Sequence, residues 1–340
     1  MENTATDPTL SGTSIQLKSI ENENLLRIFF IACVAAIGGF LFGFDSGVIN
    51  GTVDGLKGAF NSDSVVTGFN VASMLLGCAI GALIAGKSAD HFGRKKVLLA
   101  TAVLFIISAW GSGIAGASGE FIIYRLIGGL AVGAASILTP AYISEIAPAR
   151  LRGTLTSIQQ IAIILGLFCS FLSNYSLVQI SGNSTEVLWS GFDTWRWMFW
   201  IELVPATIFL VTLFFIPESP RYLAMKNKQQ AGMKILSQLF GAKNAKPMWE
   251  EIRQSLGNSE KTKISNLFQA HSFKLKPVVY IAIGLATLQQ LVGINVVFYY
   301  GAILWQAVGF SESDALLINI ISGVISLVAC FITLSLIDKL

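Results

Sequence analysis

Two charged side chains, Asp45 and Arg125, interrupt long apolar stretches of the sequence. A charge at the centre of a bilayer costs roughly 2.5–3.5 kcal/mol on an insertion scale, so a charge in such a stretch needs a partner or a task. Asp45 follows Leu25 by twenty residues, which at about 1.5 Å per helical residue puts it roughly 30 Å along its helix. Arg125 follows Phe121 by four residues and reaches a similar depth in another helix. We therefore expect the two opposite charges to pair.

Such a pair has two interpretations. A static ion pair would only fix how helices pack. A protonatable pair would act as a switch, because burial favours a neutral carboxyl group whereas a neighbouring arginine favours the ionised one. Glu202, in a third apolar stretch, is expected to join Arg125 or to be purely structural. The residues alone leave these alternatives open.

Amide side chains indicate a second kind of chemistry, which is hydrogen bonding to an uncharged polar ligand. An amide donates and accepts at once, and this suits a polyhydroxylated molecule such as a sugar. Gln160 lies in one apolar stretch, and Gln289, Gln290 and Asn295 lie in another. The spacings of Gln289, Asn295 and Tyr299 are close to whole helical turns, which predicts a shared helix face. The alternative is hydrogen bonding between packed helices.

The residue types do not favour metal, covalent or cofactor chemistry. The four cysteines lie in separate apolar stretches with no C-x-x-C spacing, and the chain has two histidines, so neither a metal site nor a disulfide framework is expected. Residues 111–116 spell G-x-G-x-x-G but follow no predicted strand, so dinucleotide binding is not expected. We predict no catalytic residue, no metal, no cofactor and no enzyme activity.

Composition indicates which elements position these residues. Hydrophobic residues make up 53% of the 340-residue chain and charged residues 13%, against roughly 25% charged in soluble proteins. So few charges cannot cover a soluble surface or bind nucleic acid. Eight stretches have about the 20 apolar residues that a spanning helix needs, and they predict an all-α polytopic membrane protein. They lie at 25–49, 65–86, 97–117, 121–143, 154–176, 197–216, 277–308 and 315–337. The long stretch at 277–308 is expected to be tilted or broken.

Basic residues are concentrated in alternate loops, at 87–96, 150–152 and 217–276. By the positive-inside rule, these loops and the N-terminus are cytoplasmic. The predicted domains are a cytosolic tail at 1–24, a six-helix transmembrane bundle at 25–216, a cytosolic helical linker at 217–276 and two further transmembrane helices at 277–340.

Three G-x-x-x-G pairs predict close contacts between helices. Small residues one turn apart allow two helix backbones to approach, and we expect packing inside one bundle rather than a dimer motif. The pairs are Gly39/Gly43, Gly77/Gly81 and Gly129/Gly133.

Four motifs carry a resemblance to a known family. They are residues 86–96 (GKSADHFGRKK), 125–129 (RLIGG), 217–223 (PESPRYL) and 289–295 (QQLVGIN). In this order they resemble the sugar porter family of the major facilitator superfamily, over about 27–340. The resemblance implies a major-facilitator-type bundle of twelve helices. The chain is therefore expected to be a C-terminally truncated member that holds the first six-helix bundle, the linker and helices seven and eight.

The resemblance also implies a function. It implies a secondary active transporter of a monosaccharide, by sugar:proton symport and alternating access, because proton-coupled members carry an Asp where Asp45 stands. The proton-coupling residues would then be Asp45, Arg125 and Glu202. The implied sugar-binding residues are Phe42, Gln160, Gln289, Gln290, Asn295 and Tyr299. The alternatives are a facilitative uniporter, a non-transporting sugar receptor and an inactive truncated fragment.

Charges near the predicted cytosolic surface alternate in sign. The resemblance implies a latch between two halves of the transporter, whereas the alternative is ordinary solvated charges. The residues are Asp90, Gly93, Arg94, Glu145, Arg152, Glu218 and Arg221. The expected partners are a sugar, protons and the lipid of the plasma membrane, which in a bacterium is the inner membrane. The protein is expected to be monomeric.

Overall fold

The computed structural model describes residues 24–257 and 275–336. These ranges fold into α-helices, with no β-strand beyond an isolated bridge. The helices are α1 (Leu25–Val48), α2 (Val53–Ala59), α3 (Ser64–Phe92), α4 (Arg94–Ile114), α5 (Ser118–Ile146), α6 (Arg152–Ser181), α7 (Thr194–Ile201), α8 (Leu203–Leu213), α9 (Pro220–Met225), α10 (Gln229–Phe240), α11 (Ala242–Gly257), α12 (Pro277–Leu291), α13 (Ile294–Ala307) and α14 (Glu312–Leu336). The tail predicted at 1–24 (except Asn24), part of the predicted linker and the last four residues lie outside the described residues.

In the described ranges, eight helices are long and apolar enough to cross a membrane, which confirms the predicted fold class. Six of them are α1 with the turn after it, α3, α4, α5, α6 with the turn before it, and α14. The other two are the pairs α7–α8 and α12–α13. The first pair bends at Glu202, where Pro205 has no N–H to donate to the Ile201 carbonyl oxygen. The second pair breaks at Gly293, whose φ of 78° is left-handed. The break predicted within 277–308 is thus confirmed.

Two apolar cores lie at opposite ends of the molecule. The first includes buried residues of α1, α4, α5 and α8. It continues through Leu236, Phe240 and Trp249 into α9, α10 and α11, which we call the linker helices, and the end of the molecule where they pack is called the linker end. The second surrounds Trp195 and reaches the last two spans through Leu316 of α14. The linker helices and the last two spans therefore pack on opposite ends of the first six spans.

Glycines bring the helix backbones of the first six spans into contact. A Cβ atom at Gly77 of α3 would overlap the Leu126 carbonyl oxygen of α5, and one at Gly129 of α5 would overlap the Met74 carbonyl oxygen of α3. Gly43 of α1 meets the backbone of α6 in the same way. The predicted packing of the G-x-x-x-G pairs inside one bundle is confirmed.

The α3–α5 contact predicts different effects on stability for two glycine substitutions in α3. Gly77→Ala should lower the free energy of unfolding by about 1–3 kcal/mol, because the added methyl group overpacks a backbone contact. Gly86→Ala should leave stability unchanged or raise it by up to about 1 kcal/mol, because no atom lies within 4 Å of a Cβ placed there. Thermal unfolding of the purified variants in detergent measures both, and equal stability of the two variants would contradict the close contact.

Candidate functional site

A buried ion pair lies inside the bundle. Asp45 of α1 and Arg125 of α5 are each 1% exposed, and the Arg125 guanidinium donates to the Asp45 carboxylate. The guanidinium also donates to Met74 Sδ of α3 at 2.9 Å and lies 5.4 Å from the centroid of the Phe199 ring of α7. The pair inferred from helix depth is therefore formed, and it connects four helices. Removing one partner of a buried ion pair typically costs about 3–5 kcal/mol.

Glu202 is the third member of this group. It is 1% exposed at the bend between α7 and α8, and it is close enough to Asp45 and Arg125 to interact with both electrostatically. Asp45 Oδ2, Arg125 Nε and Glu202 Oε1 have no hydrogen-bond partner within the part of the chain that the structure describes. Because two buried carboxyl groups lie near one guanidinium, the buried charges balance when one carboxyl group carries a proton. The arrangement can therefore hold a proton.

A cavity of about 550 Å³ lies beside the ion pair. This volume is within the roughly 300–1,000 Å³ typical of small-molecule sites. Ser46, the neighbour of Asp45, and Met74, an acceptor for Arg125, both belong to its wall. The lining residues are Phe42, Gly43, Ser46, Met74, Leu75, Cys78, Ala79, Val132, Ile163, Leu167, Gln290, Asn295, Phe298 and Tyr299. A mostly apolar wall with a few amide and hydroxyl groups is suited to a small polar ligand with apolar faces.

The cavity includes four of the six predicted sugar-binding residues. Phe42, Gln290, Asn295 and Tyr299 line it. Gln160 does not, because it is exposed on α6 one turn before the lining residue Ile163.

Gln289 also lies outside the lining, although its neighbour Gln290 on the same helix belongs to it. The break at Gly293 puts Gln289 on α12 and Asn295 on α13. The predicted face is therefore wrong for Gln289, whereas Asn295 and Tyr299 both lie on α13 and both line the cavity. A hydrogen bond of 2.9 Å from Asn295 Nδ2 to Gln290 Oε1 spans the break instead.

Sequence reasoning missed most of the apolar lining, including Ile163, Leu167 and Phe298. An apolar residue inside a spanning helix has the same pattern whether it faces a cavity, a neighbouring helix or lipid. The described residues contain no group of three or more His, Cys, Asp or Glu side chains placed to hold a metal ion.

A group of buried amides, which we name the Asn50 clasp, joins the first bundle to the last two spans. Asn50, in the turn after α1, donates to the Phe298 carbonyl oxygen at 2.7 Å and accepts from Asn319 Nδ2 at 2.8 Å. The Ala302 N–H donates to Asn50 Oδ1 at 3.3 Å. Gly301 leaves room for the clasp, because a Cβ there would lie 2.6 Å from Asn319 Oδ1. The clasp defines one end of the molecule, here called the clasp end.

Other contacts between the first bundle and the last two spans lie at the same end. Gln306 donates to Asp54 Oδ2 at 2.9 Å, and Glu312 accepts from the Ser184 N–H at 3.2 Å. None of the described residues of α12 is buried. The last two spans are therefore held at the clasp end, while α12 stays exposed towards the linker helices.

Most of the predicted latch residues gather around Arg94 at the linker end. Arg94 pairs with Asp90 at 2.8 Å and with Glu145 at 3.2 Å. Glu218 accepts from the backbone N–H groups of Arg94 and Lys95, so a carboxylate caps the positive end of α4. This arrangement requires glycine at position 93, where φ is +105° and a Cβ would overlap the Glu218 carboxylate.

Arg152 and Arg221 lie apart from Arg94. They line a cavity of about 340 Å³ between the first bundle and the linker helices, together with Glu145 and Glu251. The contacts described for the latch residues thus lie within the first bundle and the linker. A latch between two halves stays a prediction.

Comparison with known proteins gives consistent matches. A family model described as "Sugar (and other) transporter" matches residues 31–340. The chain is 44% identical to the glucose transport protein of Synechocystis sp., over 94% of this chain and 68% of that protein. It is 39% identical to the D-xylose-proton symporter of Escherichia coli, over 93% of this chain and 68% of that protein. The solved structure of the proton:xylose symporter XylE bound to 6-bromo-6-deoxy-D-glucose aligns with a TM-score of 0.82 and 40% identity, over 93% of this chain and 70% of that chain.

The Asn50 clasp predicts a change of conformation when it is broken. Asn50→Ala leaves buried groups of α13 and α14 without partners, at a cost of about 1–3 kcal/mol. Spin labels at Lys57 and Val308 should therefore show a larger population of long distances at the clasp end. Asn174→Ala is the matched control, because Asn174 makes a buried bond to the Val48 carbonyl oxygen within the first bundle. If Asn50→Ala and wild type gave the same distance distribution, the clasp would not hold this end closed.

Proposed function

The chain belongs to the sugar transporter family, and we propose that it is a secondary active transporter that moves a monosaccharide together with protons. The observation that carries the proposal is a buried Asp45–Arg125–Glu202 group directly beside a sugar-sized cavity. The names of two relatives, a glucose transport protein and a D-xylose-proton symporter, support a sugar and a proton as substrates. A transporter of this kind catalyses no covalent reaction.

In this proposal the sugar binds in the cavity that α1, α3, α5 and α6 form with α12 and α13. The amides of Gln290 and Asn295 hydrogen-bond its hydroxyl groups, since each amide both donates and accepts. Phe42 and Tyr299 cover its apolar faces. Gln289 joins the site when α12 closes against the first bundle.

Gln160 is proposed to contact the sugar after the same closure of α12 against the first bundle. It lies on the exposed side of α6, one turn towards the linker end from the lining residue Ile163. Closure of α12 would turn this exposed amide into part of an enclosed site.

Coupling is proposed to act through α1. Protonation of Asp45 removes its half of the ion pair, and Glu202 is then the other carboxyl group close enough to interact electrostatically with Arg125. The same helix supplies Phe42 and Ser46 to the cavity, and Asn50 lies in the turn after it. A loss of charge at Asp45 therefore loosens one rigid element that also forms a wall of the cavity and half of the clasp.

The orientation in the membrane is part of the proposal. The basic loops at 87–96 and 217–276 are placed in the cytosol, so the clasp closes the outer end and the exposed α12 faces inward. In a cysteine-free background, an impermeant thiol reagent added outside intact cells should label a cysteine at Lys57 but not one at Lys243. The reverse labelling would overturn this orientation.

The function is tested with the purified protein in proteoliposomes. Labelled D-xylose and D-glucose should accumulate under an imposed proton gradient. Asp45→Asn should abolish accumulation and keep exchange of sugar across the membrane, because it removes the titrating group and preserves its size. Asp63→Asn is the matched control and should accumulate sugar like wild type, because Asp63 only caps α3 and Asn caps equally well.

Each other result decides against part of the proposal. Accumulation by Asp45→Asn would exclude Asp45 as the proton site. Uptake by wild type that stops at equal concentrations would indicate a facilitative uniporter. Sugar binding without uptake would indicate a receptor or an inactive chain.

A further inference from the structure

A second cavity, of about 360 Å³, lies where α4 begins and the sixth span ends. We name it the lysine pocket. Two of its lysines, Lys95 and Lys96, are in the first turn of α4, and Lys228 directly precedes α10. The other lining residues are Phe92, Leu99, Glu218, Tyr222 and Leu223. It is separate from the sugar cavity and shares no residue with it.

The positive charge of the pocket is not neutralised within it. Its single carboxylate, Glu218, already accepts N–H groups from Arg94, Lys95 and Ser219 through one oxygen. Lys95 Nζ donates to the Phe214 carbonyl oxygen at 2.9 Å, which leaves two of its three donors. In the described part of the chain, neither Lys96 nor Lys228 forms an ion pair.

Apolar side chains are exposed directly beside these ammonium groups. Phe92 is 57% exposed, and Phe214 and Phe215, at the end of the sixth span, are 62% and 71% exposed. The span formed by α4 begins at Arg94, and the sixth span ends at Leu213. The pocket therefore lies at the level where lipid acyl chains end and headgroups begin, whichever side of the membrane this end faces.

We propose that the lysine pocket binds the phosphate of an anionic phospholipid headgroup, whose acyl chains lie along Phe92, Phe214 and Phe215. Clustered ammonium groups attract a phosphate, and the neighbouring phenyl rings contact hydrocarbon that a free phosphate lacks. The bound lipid would connect the start of α4 to the linker helices through Lys228. The proposal does not rest on sugar transport, and its test measures lipid binding alone.

The first test is native mass spectrometry of the full chain with phosphatidylglycerol and phosphatidylcholine of matched acyl chains. Lys96→Gln/Lys228→Gln should weaken phosphatidylglycerol binding about 25-fold, at about fivefold for each lysine. The matched control is Lys243→Gln/Lys246→Gln, which replaces two exposed lysines of α11. It changes the net charge by the same amount and should leave the affinity for phosphatidylglycerol within twofold of wild type. Thermal unfolding of both double variants checks that each is folded.

The second test measures how accessible the pocket lysines are to chemical modification. In nanodiscs, an amine-reactive reagent should modify Lys96 and Lys228 several-fold less when phosphatidylglycerol replaces phosphatidylcholine, with Lys243 and Lys246 unchanged. Equal loss of affinity in the two double variants, equal binding of both lipids, or unchanged modification of Lys96 and Lys228 would each overturn the proposal. Protection by inorganic phosphate as strong as by the lipid would identify a soluble anion as the ligand and would also overturn it.

Discussion

A charge buried inside a helical bundle is costly unless a group of opposite charge lies next to it. Asp45 and Arg125 provide this for each other. Arg125 reaches Met74 and the Phe199 ring as well, so the position of one guanidinium depends on four helices at once. The glycine contacts between α3 and α5 bring Met74 of α3 within reach of Arg125. A change in the protonation of Asp45 would therefore change the forces on the whole bundle.

Helix α1 connects the ion pair to the cavity and to the Asn50 clasp. Phe42 and Ser46 line the cavity from α1, and Asn50 holds the last two spans from the turn that follows it. Gly43 packs directly against the backbone of α6, so this part of α1 and α6 move together. Ion pair, cavity and clasp thus lie along one short stretch of a single helix and the turn after it, and we propose this arrangement as the physical basis for coupling proton binding to access.

The sequence predicted the ion pair because buried charges are rare and the helical rise gives their depth. It also predicted the eight spans, and a tilt or a break in the seventh, which follow from the lengths of the apolar stretches. It did not predict the Asn50 clasp, because two of its bonds go to backbone atoms about 250 residues away and Asn50 resembles any polar residue at a helix end. The shared face of Gln289 and Asn295 failed because one left-handed glycine rotates the helix between them.

The most direct measurement is an infrared titration of the purified protein, in which a protonated carboxyl group has its own carbonyl band. We expect one pH-dependent component of this band to be present in wild type and in Glu202→Gln and to be missing in Asp45→Asn, while the components from the exposed carboxyl groups remain in all three proteins. A pH-dependent component that persists in Asp45→Asn and disappears in Glu202→Gln would show that the proton resides on Glu202. That result would contradict the central role of Asp45.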